Sequence, residues 1–555
     1  MLLALTGAIL LAVLATTPPR PVGSDAPARS FSAARAMADV RVVAGAPRPT
    51  GSVANAAVRT YLARRLRALG LRVEEQRGTL DARGRERLAR WSGAPATPPI
   101  VNLVATLAGR DPGAPAILLM AHHDSVWGSP GAADDAAGVA AILEVVRALR
   151  GDGVPARSLI VLMTDAEELG LQGARTFFAR PHPPIGAIVN LETRGGGGRA
   201  TMFETGAASG GMMTLFAAHV RRPVATSLST FIYQRLPNST DYTIAKRRGV
   251  PGYNFAFIGR PALYHSPLAT PERLDQGALQ DLGRQVLDLT RGLLNAATLP
   301  GPAADRTFYD AYGIALVSYP TALGWLLLAV ACAGYAIAGR GQARIGPIAR
   351  GAGAIVVLIL LAAVLLYLVN GVSGGWGRVN YYDRLAAIPR LQVQALLVCV
   401  GAALLVHRWL AGSVATAIGA ALPLLVLGVV AQALAPTASY VIVVPLMLGG
   451  IALAIARWSR AGGTAALVAA AALGVGYMLG FGFFVMQAVG PGLPMIAALP
   501  LAISMVLLLP LVPAAASPQW SRRSAAVLLS VALGIALWVR LDPIAPTVPA
   551  YRETR

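Results

Sequence analysis

Eight long apolar segments in the second half of this 555-residue chain restrict its fold more than any other feature. A helix needs roughly 20 apolar residues to cross the hydrocarbon core of a bilayer. The segments predict an α-helical polytopic membrane domain over 314–541, with spans at 315–338, 352–372, 391–409, 413–434, 437–456, 464–487, 492–516 and 523–540. With 55% hydrophobic and only 14% charged residues, the chain is too apolar for a wholly soluble protein.

The first half of the chain has a different composition, and this difference sets the remaining boundaries. Residues 1–17 are apolar but lack a basic start, so they predict an uncleaved signal anchor or transmembrane helix in preference to a cleaved signal peptide. Charged residues, prolines, glycines and short apolar runs mix over 30–298, which predicts a soluble domain. A linker at 299–313 and a short C-terminal tail at 542–555 complete the predicted organisation.

Short apolar runs alternate with helical patterns inside the soluble domain. The patterns predict strands at 71–76, 102–107, 116–121, 159–164, 187–192 and 252–258, and helices that include Ala54–Leu69, Ala136–Leu149 and Met212–His219. Such alternation indicates an α/β fold, here a mixed sheet with helices on both faces. Ligands of open α/β sheets bind beyond the carboxyl ends of the strands. We therefore expect the functional residues there.

The basic residues indicate where this domain lies. The net charge of +21 is dispersed, with no basic block interleaved with aromatic residues, so no nucleic-acid partner is expected. Arginines occupy alternate loops between the predicted spans, although the loop 373–390 on the opposite side also carries three. By the positive-inside rule, this pattern places the soluble domain outside the cytoplasm. The expected location is the bacterial inner membrane, with the soluble domain on the periplasmic or extracytoplasmic side.

A histidine and an aspartate come directly after the apolar run 116–121. His122 and Asp124 flank His123, and residues two apart in an extended chain point the same way. His122 can bind a metal ion while Asp124 holds its other ring nitrogen. A lone histidine is more often an ordinary surface or core residue, so this pair indicates a metal site only if further ligands occur along the chain.

Further carboxylates and a second histidine complete a pattern suited to two metal ions. Such a centre requires a bridging carboxylate, additional His or carboxylate ligands, and a carboxylate that takes a proton from water. Asp134, in a Gly/Ala-rich turn before a predicted helix, is the candidate bridge. The adjacent Glu167 and Glu168 can divide the roles of base and ligand. Glu192 ends one later strand, and His265 lies in a loop after another.

The segments that hold these residues resemble a known family. The stretches AHHDSVWGSPGAADDAAGVA, TDAEELGLQGA, VNLETRGGGG and LYHSPLATPERLD are similar to the co-catalytic di-zinc peptidases, which include bacterial leucyl-type aminopeptidases and glutamate carboxypeptidase. The stretch 47–71 resembles the membrane-bound branch, which contains the endoplasmic-reticulum metallopeptidase and the fungal vacuolar membrane protease. The resemblance covers the soluble half of the chain. Over the spans it is a likeness of architecture only.

The resemblance implies a role for each candidate residue. His122 and Glu192 would bind one zinc, Glu168 and His265 the other, Asp134 would bridge them, Glu167 would be the general base, Asp124 would support His122, and Tyr264 would hydrogen-bond the tetrahedral intermediate. The implied protein is a membrane-anchored metallopeptidase with two Zn2+ per chain. A peptide is the implied substrate, and an aminopeptidase or another exopeptidase is the implied enzyme. The lipid bilayer is its other expected partner.

Three positions depart from the pattern of the family, and other interpretations stay open. Glu192 stands where the soluble aminopeptidases have Asp, Ala137 replaces a Ser, and Arg48 stands where the membrane-bound branch often has His. One alternative keeps the site but changes the reaction to that of a glutaminyl cyclase or a deacylase. Another is a transporter or scaffold whose outer domain binds ligands. The same donor atoms also suit manganese or cobalt. The oligomeric state is open.

Overall fold

The computed structural model describes residues 1–342, 344–374, 376–377, 379–490, 492–512 and 518–543. These residues divide into two compact units. The soluble unit is Thr17–Ser318, and the membrane unit combines Met1–Thr16 with the described residues from Tyr319 onward. Most of the predicted C-terminal tail, residues 544–555, lies outside the described residues.

The described residues form two sheets. Their strands are β1 (Arg72–Thr79), β2 (Pro99–Leu107), β3 (Ala116–His122), β4 (Leu159–Thr164), β5 (Ile185–Leu191), β6 (Thr201–Thr205), β7 (Gly252–Ala256), β8 (Arg306–Ala311) and β9 (Ala315–Pro320).

Helices make up most of the remaining described chain. They are α1 (Leu2–Thr16), α2 (Ala33–Val43), α3 (Val53–Ala68), α4 (Ala82–Ser92), α5 (Ala136–Arg150), α6 (Gln172–Phe178), α7 (Gly210–His219), α8 (Ser227–Tyr233), α9 (Tyr242–Lys246), α10 (Gln276–Asn295), α11 (Leu323–Gly339), α12 (Ile345–Gly374), α13 (Tyr381–Ala386), α14 (Ile388–Leu410), α15 (Val414–Leu434), α16 (Tyr440–Trp458), α17 (Arg460–Val489), α18 (Ala498–Leu508) and α19 (Pro518–Leu541).

Seven strands of the soluble unit form one mixed sheet in the order β1-β2-β4-β3-β5-β7-β6. The four strands β4, β3, β5 and β7 are parallel, whereas the pairs β1–β2, β2–β4 and β6–β7 are antiparallel. Leu118 of β3 pairs with Ile160 of β4 on one side and Ile188 of β5 on the other. The chain thus passes from β3 to β4 on one side of β3, and then from β4 to β5 on the other side. Ligands of α/β sheets bind at such a reversal of strand order.

Side chains of β3 alternate between two hydrophobic cores, as the two-residue period of a strand requires. Ile117 and Leu119 join the core formed with α2, α3, α5, α7 and α10. Leu118 and Met120 join the core formed with α6 and α9. Helices therefore cover both faces of the sheet. The predicted fold class, a mixed α/β sheet followed by a helical membrane region, is confirmed.

Helix α5 begins directly after the Gly/Ala-rich turn that contains Asp134. Oδ1 of Asp135 accepts the N–H of Gly138 at 3.0 Å, which caps the first turn. Alanine and leucine favour the helical interior, and Arg147 and Arg150 in the last turn complement the helix dipole. Because nearly the whole helix is buried against the sheet, its beginning has a fixed position beside β3.

Seven helices in the described part of the chain are long and apolar enough to cross a membrane. They are Ile345–Gly374, Ile388–Leu410, Val414–Leu434, Tyr440–Trp458, Arg460–Val489, Pro494–Leu511 and Gln519–Leu541. Each coincides with a predicted span. The apolar helices α1 and α11 are shorter, at 15 and 17 residues. Within the membrane unit, α1 packs against α17 and α11 against α16.

The chain between the soluble domain and the spans differs from the sequence prediction of a linker at 299–313 and a first span at 315–338. Strands β8 and β9 form a hairpin there, and the soluble unit extends to Ser318. The turn is closed by Asp310, whose Oδ2 accepts the N–H of Gly313 at 2.8 Å. The apolar run thus contains a strand followed by the helix α11, and average apolarity alone does not distinguish the two.

Candidate metal centre

The first group of donor atoms surrounds His122, the buried last residue of β3. Its Nε2 lies 3.0 Å from Oδ1 of Asp134 and 3.7 Å from Oε1 of Glu192. Glu192 directly follows β5, which is a parallel neighbour of β3. Two strand ends and the turn before α5 therefore bring one histidine and two carboxylates together.

The second group of donor atoms surrounds the other carboxylate oxygen of Asp134. Nε2 of His265 is 3.2 Å from Oδ2 of Asp134 and 3.2 Å from Oε2 of Glu168. The ring of Tyr264 stacks on the imidazole of His265, with 3.8 Å between the centroids. Each oxygen of Asp134 thus contacts a different histidine. The structure brings together all of the residues that the sequence suggested as metal ligands.

The chemistry of these residues fits a bound cation. Donor atoms of His122, Asp134 and Glu168 all lie within 4.8 Å of one another. Oε1 of Glu168 is buried and has no hydrogen-bond partner among the described residues. A buried carboxylate oxygen without a partner is costly, and a cation would supply the missing interaction. Imidazole nitrogen and carboxylate oxygen are donors that zinc accepts, as do other divalent transition metals.

Asp124 connects the two groups. Its backbone oxygen lies 3.2 Å from Nδ1 of His122 and its Oδ1 3.4 Å from the same atom, so it orients the imidazole from behind. Its Oδ1 and Oδ2 also accept the N–H groups of Glu167 at 3.1 Å and Glu168 at 3.2 Å. The sequence suggested only the support of His122. The structure adds that one carboxylate fixes the backbone of both glutamates.

Burial and like charges perturb the acidic groups of the centre. Burial raises the pKa of Glu167 well above its usual range, and repulsion from Glu192 raises it further. Burial also raises the pKa of Glu192 to about 7, although His122 opposes this shift. A carboxyl group with the pKa of Glu192 can exchange protons near neutral pH, as acid–base catalysis requires. A cation bound beside the two glutamates would lower both pKa values.

A buried polar network behind the centre was missed by the sequence reasoning. Nε2 of His123 lies 3.1 Å from the carbonyl oxygen of Val101, and its Nδ1 lies 3.3 Å from Nδ2 of Asn55. The carboxylate of Asp165 accepts the Thr50 hydroxyl and the Val101 N–H, both at 3.0 Å. Strand alternation turns His123 away from the metal-binding face. In the sequence, the position of His123 between His122 and Asp124 was the only sign that its side chain points the other way.

Fold and donor atoms together define a class of protein. It is an α/β domain with a candidate transition-metal centre at the carboxyl edge of its sheet, in a chain that also carries a helical membrane unit. Residues 102–290 match the model of Peptidase family M28. The soluble unit is therefore similar to this family over those residues.

The relatives of this chain include membrane metallopeptidases. Endoplasmic reticulum metallopeptidase 1 of Mus musculus is 32% identical over 239 residues, which are 41% of this chain and 26% of the relative. Vacuolar membrane protease of Candida dubliniensis is 37% identical over 168 residues, which are 30% of this chain and 18% of the relative. The matched part thus spans about a quarter or less of these relatives. The predicted resemblance to the membrane-bound branch is confirmed, and the chain is an integral membrane protein.

Among solved structures, an aminopeptidase from Aneurinibacillus sp. strain AM-1 aligns with 50% of this chain and 98% of its own. Its TM-score is 0.41 and its sequence identity is 16%.

Proposed function

We propose that this chain is a membrane-anchored peptidase that holds two zinc ions in its soluble unit. The observation that carries the proposal is the contact of each Asp134 oxygen with a different histidine. In this proposal His122 and Glu192 would hold one zinc, Glu168 and His265 would hold the other, and Asp134 would contribute an oxygen to each. When bound, the zinc ions would lower the pKa of water toward neutrality and polarise the scissile carbonyl.

Glu167 is the proposed general base. It lies beside the ligand Glu168, and Asp124 fixes the backbone of both residues. The raised pKa of its carboxyl group suits it to take a proton from the attacking water and to return that proton to the leaving amine.

Tyr264 is proposed to stabilise the negative charge that develops on the substrate oxygen. Its ring is fixed by stacking on His265. Burial raises the pKa of Tyr264, so the hydroxyl keeps its proton and can donate it in a hydrogen bond to the tetrahedral intermediate.

Peptides with a free amino terminus are the proposed substrates. The resemblance to leucyl-type aminopeptidases favours cleavage from the amino end. Glu167 and Glu192 are half-buried, whereas His122, Asp134 and Glu168 are buried. The half-buried carboxylates are therefore the members of the centre that a substrate can reach most easily.

We also propose that the soluble unit faces away from the cytoplasm, in the inner membrane of a bacterium. The support is the placement of arginines in alternate loops of the membrane unit, at Arg340, Arg408, Arg457 and Arg522. Protease added to intact spheroplasts should digest the soluble unit, and protease added to inverted membrane vesicles should leave it intact. The reverse pattern would contradict this orientation.

The function is tested on the purified full chain, with a panel of aminoacyl and dipeptide substrates and metal analysis of the same samples. We expect two zinc ions per chain and cleavage from the amino end, with loss of activity on chelation and recovery with added zinc. One zinc per chain would contradict the bridging role of Asp134. Two zinc ions without cleavage of any peptide would contradict the peptidase function and favour a cyclase or deacylase reaction.

A further inference from the structure

Arg48 is fully buried in the interior of the soluble unit, where its side chain is 0% exposed. It lies shortly before α3, in the stretch PRPTGS. Arginine is rarely buried without a paired group, because removing its charge from water costs free energy. The contacts of Arg48 therefore call for a specific explanation.

The guanidinium of Arg48 donates to three backbone carbonyls of one loop. We define the ligand loop as residues 123–134, which runs from the residue after His122 to Asp134. Nε of Arg48 donates to the carbonyl of His123 at 2.8 Å, Nη2 to that of Gly131 at 3.1 Å, and Nη1 to that of Pro130. The first acceptor lies at the start of the ligand loop and the other two lie near its end.

The end of the ligand loop is tightly folded. Gly131 has a φ of 57°, and a Cβ added there would lie 2.2 Å from the backbone oxygen of Asp134. The backbone of Arg48 contacts the same loop, since its N–H donates to Oγ of Ser125 at 3.0 Å. Arg48 thus holds both ends of the loop from a single position, and those ends adjoin His122 and Asp134.

Arg48 also places a positive charge close to the acidic cluster without forming an ion pair in it. Its pKa is lowered to about 10 by burial, against the opposing attraction of nearby carboxylates, chiefly Asp124 and Asp134. It therefore stays charged at neutral pH. A lysine at this position would keep the charge but could not span three carbonyls, because its donors sit on one nitrogen.

We propose that Arg48 is a positioning residue for the metal centre, and that its planar fork sets the separation of His122 and Asp134 by holding both ends of the ligand loop. This inference rests on the proposed zinc function. It predicts that zinc affinity depends more on the geometry of the Arg48 guanidinium group than on its charge. Partners that orient metal ligands from behind typically contribute 10–100-fold to metal affinity.

Arg157 offers a matched control within the same unit. It is also buried, and its Nη2 donates to the carbonyls of Ala296 and Ala297 at 3.2 Å each. It precedes β4, at the end of that strand opposite to Glu167 and Glu168. A loss of packing or of buried hydrogen bonds should affect both arginines, whereas the positioning of metal ligands involves Arg48 alone.

The test compares the full-length wild type with Arg48→Lys, Arg48→Met and Arg157→Lys. For each we would measure the zinc dissociation constant by competition with a chelator, and the melting temperature of the metal-free protein. Arg48→Lys should weaken zinc binding by about 10–100-fold, and Arg48→Met by at least as much. Arg157→Lys should lower the melting temperature but change the zinc dissociation constant by less than about 3-fold.

Zinc binding by Arg48→Lys that equals the wild type would overturn the proposal. So would an equal weakening in Arg157→Lys, because the effect would then be one of general stability. If Arg48→Met does not fold, Arg48→Lys decides the question. A wild type that binds no zinc would instead refute the proposed function, before any variant is compared.

Discussion

The two units of this protein differ in how many charged residues they bury. The soluble unit buries several charged residues at one edge of its sheet, including Asp124, Asp134 and Glu168. Within the described part of the membrane unit, Arg384 is the one charged residue that is buried. A buried charge is costly unless it has partners, and in membrane proteins it usually marks a functional site. The contrast shows that the described residues cluster buried charge at the candidate metal centre of the soluble unit.

The strongest test of this contrast removes the charge shared by both donor groups. Asp134→Asn should lose both zinc ions, because each oxygen of Asp134 contacts one of the two histidines. Metal catalysis supplies several kcal/mol of barrier reduction, so activity should fall by more than about 1,000-fold. Metal analysis and turnover of the purified variant test this. A variant that still holds two zinc ions per chain would refute the bridging role.

The next largest effect separates catalysis from metal binding. Glu167→Gln keeps the size of the side chain but removes the proposed base, so turnover should fall by about 100- to 10,000-fold. The zinc content should stay at the wild-type value, because Glu168 and the contacts of Asp124 with the backbone are retained. An active Glu167→Gln protein with full zinc occupancy would exclude Glu167 as the base.

A smaller effect concerns the dependence of stability on pH. In the metal-free protein the pKa of Glu192 is about 7, against an ordinary value of 4.5. The folded state therefore binds more protons than the unfolded state between these values, and its stability should fall as the pH rises through this interval. Zinc requires the ionised carboxylate, so the gain in melting temperature on adding zinc should be larger at about pH 8 than at about pH 5.5.

Melting curves with and without zinc at the two pH values measure this difference. Each kcal/mol corresponds to roughly 2–4 °C in a domain of this size. The matched control is metal-free Glu192→Gln, whose stability should decline less over the same interval. An equal decline in that variant would show that other groups cause the pH dependence.

The smallest effect on activity is expected from the buried charge of the membrane unit. The guanidinium of Arg384 donates to Oγ of Ser373 at 3.1 Å and to Oδ1 of Asn370 at 2.5 Å. Arg384→Met should lower the melting temperature of the membrane unit, because it leaves these acceptors without a donor. Zinc content and turnover should change by less than about 2-fold. Loss of zinc from this variant would contradict the separation of the two units.

Much of the soluble unit was predictable because the sequence patterns that indicate its strands and helices are local. The apolar runs at β3 and β4 are short and bounded by turns, and His122 and Glu168 lie at or just after their ends. Strand β6 was not predicted, because its five residues, TMFET, mix polar and apolar types at an edge of the sheet. The hairpin of β8 and β9 was missed because an apolar strand directly precedes an apolar helix.

The supporting residues were harder to recognise than the ligands. Arg48 was noted only as a departure from the family, since a single arginine in a sequence gives no indication that it is buried. Its role depends on carbonyl groups from residues 123 to 131, about 75 to 83 positions further along the chain. The side chains of Asn55 and Asp165 are in contact across 110 positions. Such long-range contacts leave no periodic pattern in a sequence.

The double hydrogen bond from the backbone of Glu167 and Glu168 to Asp124 has an evolutionary consequence. One carboxylate thus fixes the backbone of the proposed base and of the proposed metal ligand, which are neighbouring residues. With the proposed roles, a single-nucleotide change from Glu to Gln at position 167 would abolish the peptidase activity and leave a folded protein that still binds metal. The same change at position 168 would also remove a proposed metal ligand. Related proteins that keep the domain but have lost catalysis should therefore lack Glu167 more often than Glu168.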